Sequence, residues 1–117
     1  MPPATKYLLI VSMDIDSDKE GLFHQVYDEE HIPLILKLPG VRSVTRLEGQ
    51  SAKVRVGGQL QNIDMSDEPT FTAIYEIDSP EILETEEWQN AVEAGRWPGE
   101  VRPYTSNRRF ELRKVIA

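Results

Sequence analysis

The residues best suited to take part in a chemical reaction are two histidines and a tyrosine, whose spacing would put them on one face of a helix. His31 follows Tyr27 by four residues and His24 by seven, so the three side chains would point along nearly the same side. Histidine has an ordinary pKa close to neutral, so a half-buried one can exchange a proton with a bound organic molecule. Asp28, three residues before His31, is close enough to orient the imidazole by a hydrogen bond. The spacing predicts a candidate proton-transfer site centred on His31.

Three residues from later in the chain are candidates for the walls of this site. Tyr75 lies on a predicted strand and Trp88 on a predicted helix, and both combine an apolar ring with a polar tip. Arg109, on the last predicted strand, is able to meet a carboxylate or enolate oxygen. Each residue also has a structural interpretation: core packing for the two rings, an ion pair for Arg109, a solvated acidic face for Asp28, and a satisfied structural histidine for His31.

Several classes of site lack the residues that they require. The chain contains no cysteine, which excludes disulfides and cysteine-based zinc sites. Two histidines two turns apart are a poor set of metal ligands, so no metal is expected. No G-x-G-x-x-G, Walker or Gly-x-Ser-x-Gly pattern is present, so neither a nucleotide site nor a serine hydrolase is indicated. We expect no cofactor, with haem bound through His31 as the alternative.

The bulk composition describes one acidic globular domain, residues 1–117. Hydrophobic residues make up 39% and charged residues 28%, which is typical of a chain with a packed core. The net charge of −7 would repel nucleic acid and anionic membranes, so neither is expected as a partner. The early apolar run over residues 7–11 is too short to span a bilayer, and the start lacks a signal-peptide pattern. We therefore expect a cytoplasmic protein.

The charges are unevenly distributed along the chain. Between Gly57 and Gly95 there are ten acidic residues and no lysine or arginine, whereas the chain after Arg96 is basic. The basic residues there are Arg102, Arg108, Arg109, Arg113 and Lys114. This pattern predicts that the last strand lies beside acidic segments, either within the fold or in a second subunit.

The elements that would position these residues follow the order β-α-β, insert, β-α, arm, β. Strands are predicted over residues 6–15, 41–48, 70–78 and 106–115 by apolar and β-branched patterning. The first helix is predicted over 18–30 with N-caps among residues 16–18, and Pro33 should interrupt it and open a second short helix. Thr85 should cap a later helix that ends near Gly95. Residues 49–69 form an irregular insert or a hairpin at Gly57-Gly58, and residues 96–105 an irregular arm.

This order favours a ferredoxin-like α+β sandwich, in which helices cover one face of an antiparallel sheet. Leu8 and Ile10 alternate with Leu9 and Val11, so the first strand is apolar on both faces. Helices would cover only one of these faces. We therefore expect a homodimer in which two sheets pack face to face.

Four segments together resemble the EthD-like branch of the dimeric α/β-barrel superfamily. They are VYDEEHIP, LPGVRSVTR, FTAIYEIDSPE and EWQNAVEAGRWP. The likeness excludes residues 49–69, and its most specific part is Tyr27-Asp28-x-x-His31-x-Pro33. The resemblance implies a ferredoxin-like monomer, a dimer whose sheets form a barrel, and a pocket between helix and sheet. Relatives include isomerases, cyclases, cofactor-free oxygenases, haem proteins and members without assigned activity, so the fold alone carries little functional information.

Three functions follow as hypotheses, and all of them place a small, mostly apolar organic ligand in one pocket. The first is a cofactor-independent isomerase, cyclase or oxygenase-type enzyme that uses His31 as a proton shuttle. The second is a non-catalytic ligand-binding or stress-related dimer. The third is a haem-associated protein.

Overall fold

Six β-strands form a four-stranded sheet and a separate hairpin. In this computed structural model, which describes residue 3 and residues 5–117, the strands are β1 (Tyr7–Ile15), β2 (Val41–Glu48), β3 (Ala52–Val56), β4 (Gln59–Ile63), β5 (Phe71–Ile77) and β6 (Thr105–Lys114). The main sheet has the order β2-β5-β1-β6, and all of its pairs are antiparallel. This arrangement is the expected ferredoxin-like α+β fold. The start of the chain, interpreted above as lacking a signal peptide, falls partly on residues 1, 2 and 4, which lie outside the described residues.

The three α-helices are α1 (Glu20–Val26), α2 (Ile32–Leu36) and α3 (Glu86–Glu93). Alternate residues of β1 and β5 face the helices, because side chains change face at every residue of a strand. The resulting core includes Leu9, Val11 and Met13 of β1 together with Phe71, Ala73, Tyr75 and Ile77 of β5, all buried. No helix in the described part of the chain is long and apolar enough to cross a membrane.

A wide helical turn, Tyr27–His31, joins α1 to α2, with the amide of Ile32 donating to the carbonyl of Tyr27 five residues back. Pro33 explains this departure from a regular helix. It has no amide hydrogen, and in a regular helix its ring would clash with the carbonyl of Glu29. The predicted interruption is therefore present, but as a wide turn within one continuous helical path. Such turns are common at functional sites.

The predicted caps are confirmed for the second half of the chain only. The Thr85 hydroxyl accepts a hydrogen bond from the amide of Trp88 at 3.1 Å, which fixes the start of α3. Neither Asp16 nor Lys19, the residues at the N-terminal boundaries of the first helical segments, makes a side-chain cap. The expected capping of the first helix is therefore wrong. A short 3₁₀ turn, Ser17–Lys19, leads into α1 instead.

The segment predicted as an irregular arm is helical. Trp97–Val101 forms a second wide turn, and Arg102–Tyr104 a 3₁₀ turn that leads directly into β6. The expectation failed because Pro98 and Pro103 suggested an open chain, whereas both occupy early helical positions that proline tolerates. Burial of Trp97 and Val101 against the core holds the segment in place.

The insert at residues 49–69 contains the predicted hairpin. β3 and β4 pair across Gly57 and Gly58, whose φ angles of 61° and 81° are the left-handed values that this two-residue turn requires. Every residue of the two strands is exposed, so the hairpin extends away from the core.

A β-bulge interrupts the pairing of β6 with β1. Ser12 lies opposite Arg109 but Asp14 lies opposite Ser106, so β6 has one extra residue across Met13. Asn107 has a φ of 52°, and its amide donates to the Asp14 carboxylate at 3.3 Å. The extra residue reverses the alternation, so that Phe110 and Leu112 lie opposite Val11 and Leu9 and face the helices.

Candidate functional site

A cavity of about 320 Å³ lies between the helices and the sheet near β6. Its size is at the lower end of the range of roughly 300–1,000 Å³ found for pockets that bind small organic molecules. Its apolar wall includes Leu9, Val11, Leu83, Val92 and Phe110. Three of the predicted binding residues, Tyr27, Tyr75 and Trp88, line it together with His31.

His31 lies at the buried end of an aromatic cluster and is only 5% exposed. Its ring is 4.9 Å from the Tyr27 ring and 5.0 Å from the Trp97 ring, measured between centroids. The Trp97 ring is inclined by 31° to the imidazole, so it covers one face of it. The wide turn thus keeps Tyr27 and His31 adjacent even though the backbone departs from the regular helical period.

A hydrogen-bonded chain joins the two tyrosines to the imidazole. The hydroxyl oxygens of Tyr27 and Tyr75 are 2.7 Å apart, and the Tyr75 hydroxyl lies 3.4 Å from Nε2 of His31. The second contact is long for a hydrogen bond and therefore weak. Nδ1 of His31 is buried and has no hydrogen-bond partner among the residues that the structure describes. Such orphaned buried atoms are rare, and a functional role is one of the explanations for them.

The electrostatic environment keeps this cluster uncharged at neutral pH. Burial, together with the positive charge of Arg102, lowers the pKa of His31 from its ordinary 6.5 to about 4. Burial raises the pKa of Tyr27, and it raises the pKa of Tyr75 well above its ordinary value. The imidazole and both phenols are therefore neutral at pH 7, and they can donate or accept hydrogen bonds without carrying charge.

Two arginines at the cavity were not predicted as site residues. Arg102 and Arg108 both line it, with Arg102 bound to Glu93 through two contacts of 3.1 and 2.7 Å. Arg102 was missed because its segment was interpreted as an irregular arm. Arg108 was missed because the bulge was not recognised, although an asparagine within a strand pattern is a signal for a left-handed residue.

The structure does not bring Asp28, Arg109 or His24 to the cavity. Asp28 is exposed and its carboxylate binds Arg46 at 3.0 Å, so the expected orienting bond to His31 is replaced by an ion pair. The same Arg46 contacts Nδ1 of His24 at 2.9 Å, away from the cavity. His24 is displaced from His31 because the intervening wide turn breaks the regular helical period.

Arg109 lies on the sheet face opposite the cavity, across from Ser12, and binds Glu68. The bulge is the reason, because it turns the neighbouring Arg108 toward the helices instead. The pairs Arg109–Glu68 and Arg102–Glu93 confirm that the basic end of the chain lies beside acidic segments within the fold.

Trp88 and Tyr75 meet as expected, with ring centroids 5.8 Å apart. α3 places Trp88 on its apolar side, and alternation along β5 places Tyr75 on the helix-facing side of the sheet. Among residue 3 and residues 5–117, no group of three or more histidine, cysteine, aspartate or glutamate side chains converges as a metal site would require.

No protein-family model and no curated protein sequence matches the chain. Among solved structures, it is similar to a crystal structure of a MhuD point mutant with two manganese protoporphyrin IX molecules bound per active site. The TM-score is 0.61 and the identity 9%, over 95% of each chain. The likeness shows the ferredoxin-like α+β fold.

Proposed function

We propose that the cavity binds a small, mostly apolar organic ligand. The hydrogen-bonded residues Tyr27, Tyr75 and His31 would make the polar contact with the ligand inside the cavity. The observation that carries this proposal is the neutral, buried His31, whose Nδ1 has no partner among the described residues, on a mostly apolar cavity. An unpartnered buried polar atom costs about 1–3 kcal/mol of stability. A rearrangement of the cluster around a ligand oxygen would offset that cost.

Ligand binding is better supported than proton transfer by the free protein. A general base works best when its pKa is near the operating pH, and the pKa of His31 is about 4. A cofactor-independent isomerase, cyclase or oxygenase activity therefore needs a ligand that raises this pKa, for example by bringing negative charge beside the ring. The cluster Tyr27-Asp28-x-x-His31-x-Pro33 supports placing the chain in the EthD-like branch, which includes such enzymes. A non-catalytic ligand-binding or stress-related dimer is the alternative that needs no change in pKa.

Porphyrin binding is the second candidate, favoured by the ligand of the MhuD structure. A neutral imidazole is a suitable iron ligand, but both nitrogens of His31 are covered here. Nδ1 is buried and Nε2 lies 3.4 Å from the Tyr75 hydroxyl. The side chains as arranged do not fit iron ligation by His31, so we derive no step through haem.

The test is a thermal-shift screen of small aromatic and carbonyl compounds, because a ligand that binds only the folded state stabilises it. At about 100 times its Kd, such a ligand adds about 2.7 kcal/mol to the free energy of unfolding. Val92→Trp should fill the cavity and abolish the shift, and His31→Gln should reduce it. Val54→Trp, on the exposed hairpin, is the matched control and should behave as wild type.

Two outcomes would contradict the proposal. One is that no compound raises the melting temperature; the other is that Val92→Trp retains wild-type affinity for the compounds that do. A haemin titration run in parallel separates the porphyrin alternative. An intense Soret band that disappears in His31→Ala would establish the fit that the present arrangement lacks.

A further inference from the structure

Arg108 differs from most arginines of this chain in having no carboxylate partner within the described residues. Six of the eight arginines form an ion pair with aspartate or glutamate: Arg42, Arg46, Arg96, Arg102, Arg109 and Arg113. Arg55 lies on the exposed hairpin. Within residue 3 and residues 5–117, Arg108 alone combines a guanidinium that has no carboxylate partner with a position on the cavity. In a chain with 20 acidic residues, this leaves a free cation beside an apolar pocket.

The bulge holds Arg108 on the cavity side. Without the extra residue across Met13, alternation along β6 would place residue 108 on the same face as Ser106, away from the helices. The left-handed Asn107 is stabilised by its contact with Asp14, whose other carboxylate oxygen accepts the amide of Thr70 at 2.8 Å. Asp14, itself held by Thr70, thus supports the left-handed Asn107, whose bulge places Arg108 on the cavity side. Left-handed residues and bulges supported in this way are common next to binding sites.

The neighbouring charges leave Arg108 as the available donor. Both terminal nitrogens of Arg102 already bind Glu93. The Arg108 guanidinium lies 5.6 Å from the centroid of the Phe110 ring, so an apolar surface adjoins the free charge. An arginine beside an apolar wall matches a molecule with an apolar body and an anionic group, because its planar fork binds a carboxylate through two hydrogen bonds.

We infer that the ligand class of this cavity is an organic acid, whose carboxylate binds Arg108 at the rim while its apolar body contacts Val92, Leu83 and Phe110. This inference rests on the proposed ligand-binding function and narrows it. It also supplies what the enzymatic alternative requires, since a bound anion introduces negative charge into the cavity that His31 lines.

The test compares acids with their uncharged amides. The probes are phenylacetate with phenylacetamide, trans-cinnamate with cinnamamide, and 1-naphthaleneacetate with 1-naphthaleneacetamide, titrated at low salt by calorimetry. We expect the acid of each pair to bind wild type more tightly. Arg108→Gln should weaken the acids roughly tenfold, which is the effect of about 1.4 kcal/mol, and leave the amides unchanged. The matched control is Arg113→Gln on the opposite face, which should bind both members as wild type does.

A second variant gives the opposite sign. Glu93→Gln removes the carboxylate that occupies Arg102 and should tighten the acids, because a second guanidinium becomes available at the cavity. If amides and acids bind equally well, and Arg108→Gln changes neither, the inference is wrong while the binding function stands. If no member of any pair binds wild type, both the inference and the binding function are wrong.

Discussion

At the scale of single residues, the cluster around His31 is held neutral mainly by burial, and the positive charge of Arg102 adds to this effect at His31. Its pKa of about 4 in the folded protein, against 6.5 ordinarily, means that the unfolded chain binds a proton between these values and the folded chain does not. Stability must therefore fall as the pH falls through this window. At higher pH the imidazole is neutral in both states and contributes no pH dependence.

The first prediction concerns this pH dependence. Wild type should lose about 3 kcal/mol of unfolding free energy between pH 6.5 and pH 4, whereas His31→Gln, which does not titrate, should lose much less. Urea unfolding at half-unit pH intervals measures the difference. Carboxylates with a lowered pKa, such as Asp14 and Glu30, are present in both proteins and cancel. Parallel curves for the two proteins would show that His31 is not shifted.

The second prediction concerns the Tyr75 hydroxyl, which lies between Tyr27 and His31 in the hydrogen-bonded series. Tyr75→Phe leaves the Tyr27 hydroxyl and Nε2 of His31 without their partner, so it should cost about 1–3 kcal/mol. Tyr104→Phe, at an exposed tyrosine, is the control and should change stability by less than about 0.5 kcal/mol. Urea unfolding at pH 7 gives both values. Equal effects would mean that the hydrogen-bonded chain contributes nothing to stability.

Sequence spacing predicted part of this cluster and missed the rest. The four-residue separation of Tyr27 and His31 was sufficient to place them together, since neighbours at that distance share a helix face. Trp97, which covers the imidazole, comes from a segment 66 residues later, and only tertiary packing brings it there. Arg109 was predicted at the site in place of its neighbour Arg108, because the bulge that puts Arg108 on the cavity side was not recognised from the sequence.

At the scale of elements, one carboxylate joins the wide turn after α1 to the segment that follows α3. Glu30 accepts the backbone amide of Arg96 at 2.9 Å and also binds its guanidinium. Gly95 permits this approach: its φ is 71°, and a Cβ there would lie 2.6 Å from the Glu30 carboxylate. This contact between Glu30 and Arg96 positions Trp97, which follows Arg96 directly, against His31.

The third prediction follows from this link. Gly95→Ala should cost about 1–2 kcal/mol for the left-handed backbone, with a further loss as Glu30 is displaced. Gly21→Ala in α1, where a Cβ meets no neighbour within 4 Å, is the control and should stabilise by about 0.4–1 kcal/mol. Melting curves distinguish the two. A neutral Gly95→Ala would show that the link is dispensable.

The elements themselves were largely predictable because their local signals agree with the fold. Thr85 is a specific cap signal and Gly57-Gly58 a specific turn signal. The alternating pattern of β5 indicated which of its residues face the helices. The first helix was misjudged in detail. It begins after a 3₁₀ turn that has no side-chain cap, and the missing amide hydrogen of Pro33 is accommodated by the wide turn Tyr27–His31, which the sequence pattern did not predict.

At the scale of the whole molecule, the sheet has a face without helices. The chain measures 50 × 39 × 19 Å, so it is two layers thick. Ile10 and Ile74 lie directly opposite each other on that face, with Leu8 beside them and Leu47, 45% exposed, on β2. We propose that a second copy covers this face, as in a dimeric α/β barrel.

The fourth prediction is the assembly state. Wild type should sediment at about twice its 13.4 kDa chain mass at micromolar concentration, and Ile74→Glu should sediment as a monomer. A buried, unpaired carboxylate at the centre of an interface is strongly unfavourable. Leu36→Glu, at an exposed leucine of α2, is the control and should leave the mass unchanged. A monomeric wild type would leave the apolar face without this explanation.

The bulge at Asn107 also bears on how such a cavity changes over generations. Because the residues on both sides of the bulge are already paired with β1, deleting that one residue would restore regular pairing without exchanging the faces of β6. Arg108 would lie across Met13, and Phe110 and Leu112 would stay opposite Val11 and Leu9, beside the helices. A single codon can thus be lost or gained here without altering the residues of the cavity wall, and aligned relatives must be given a gap at this position before their cavity residues are compared.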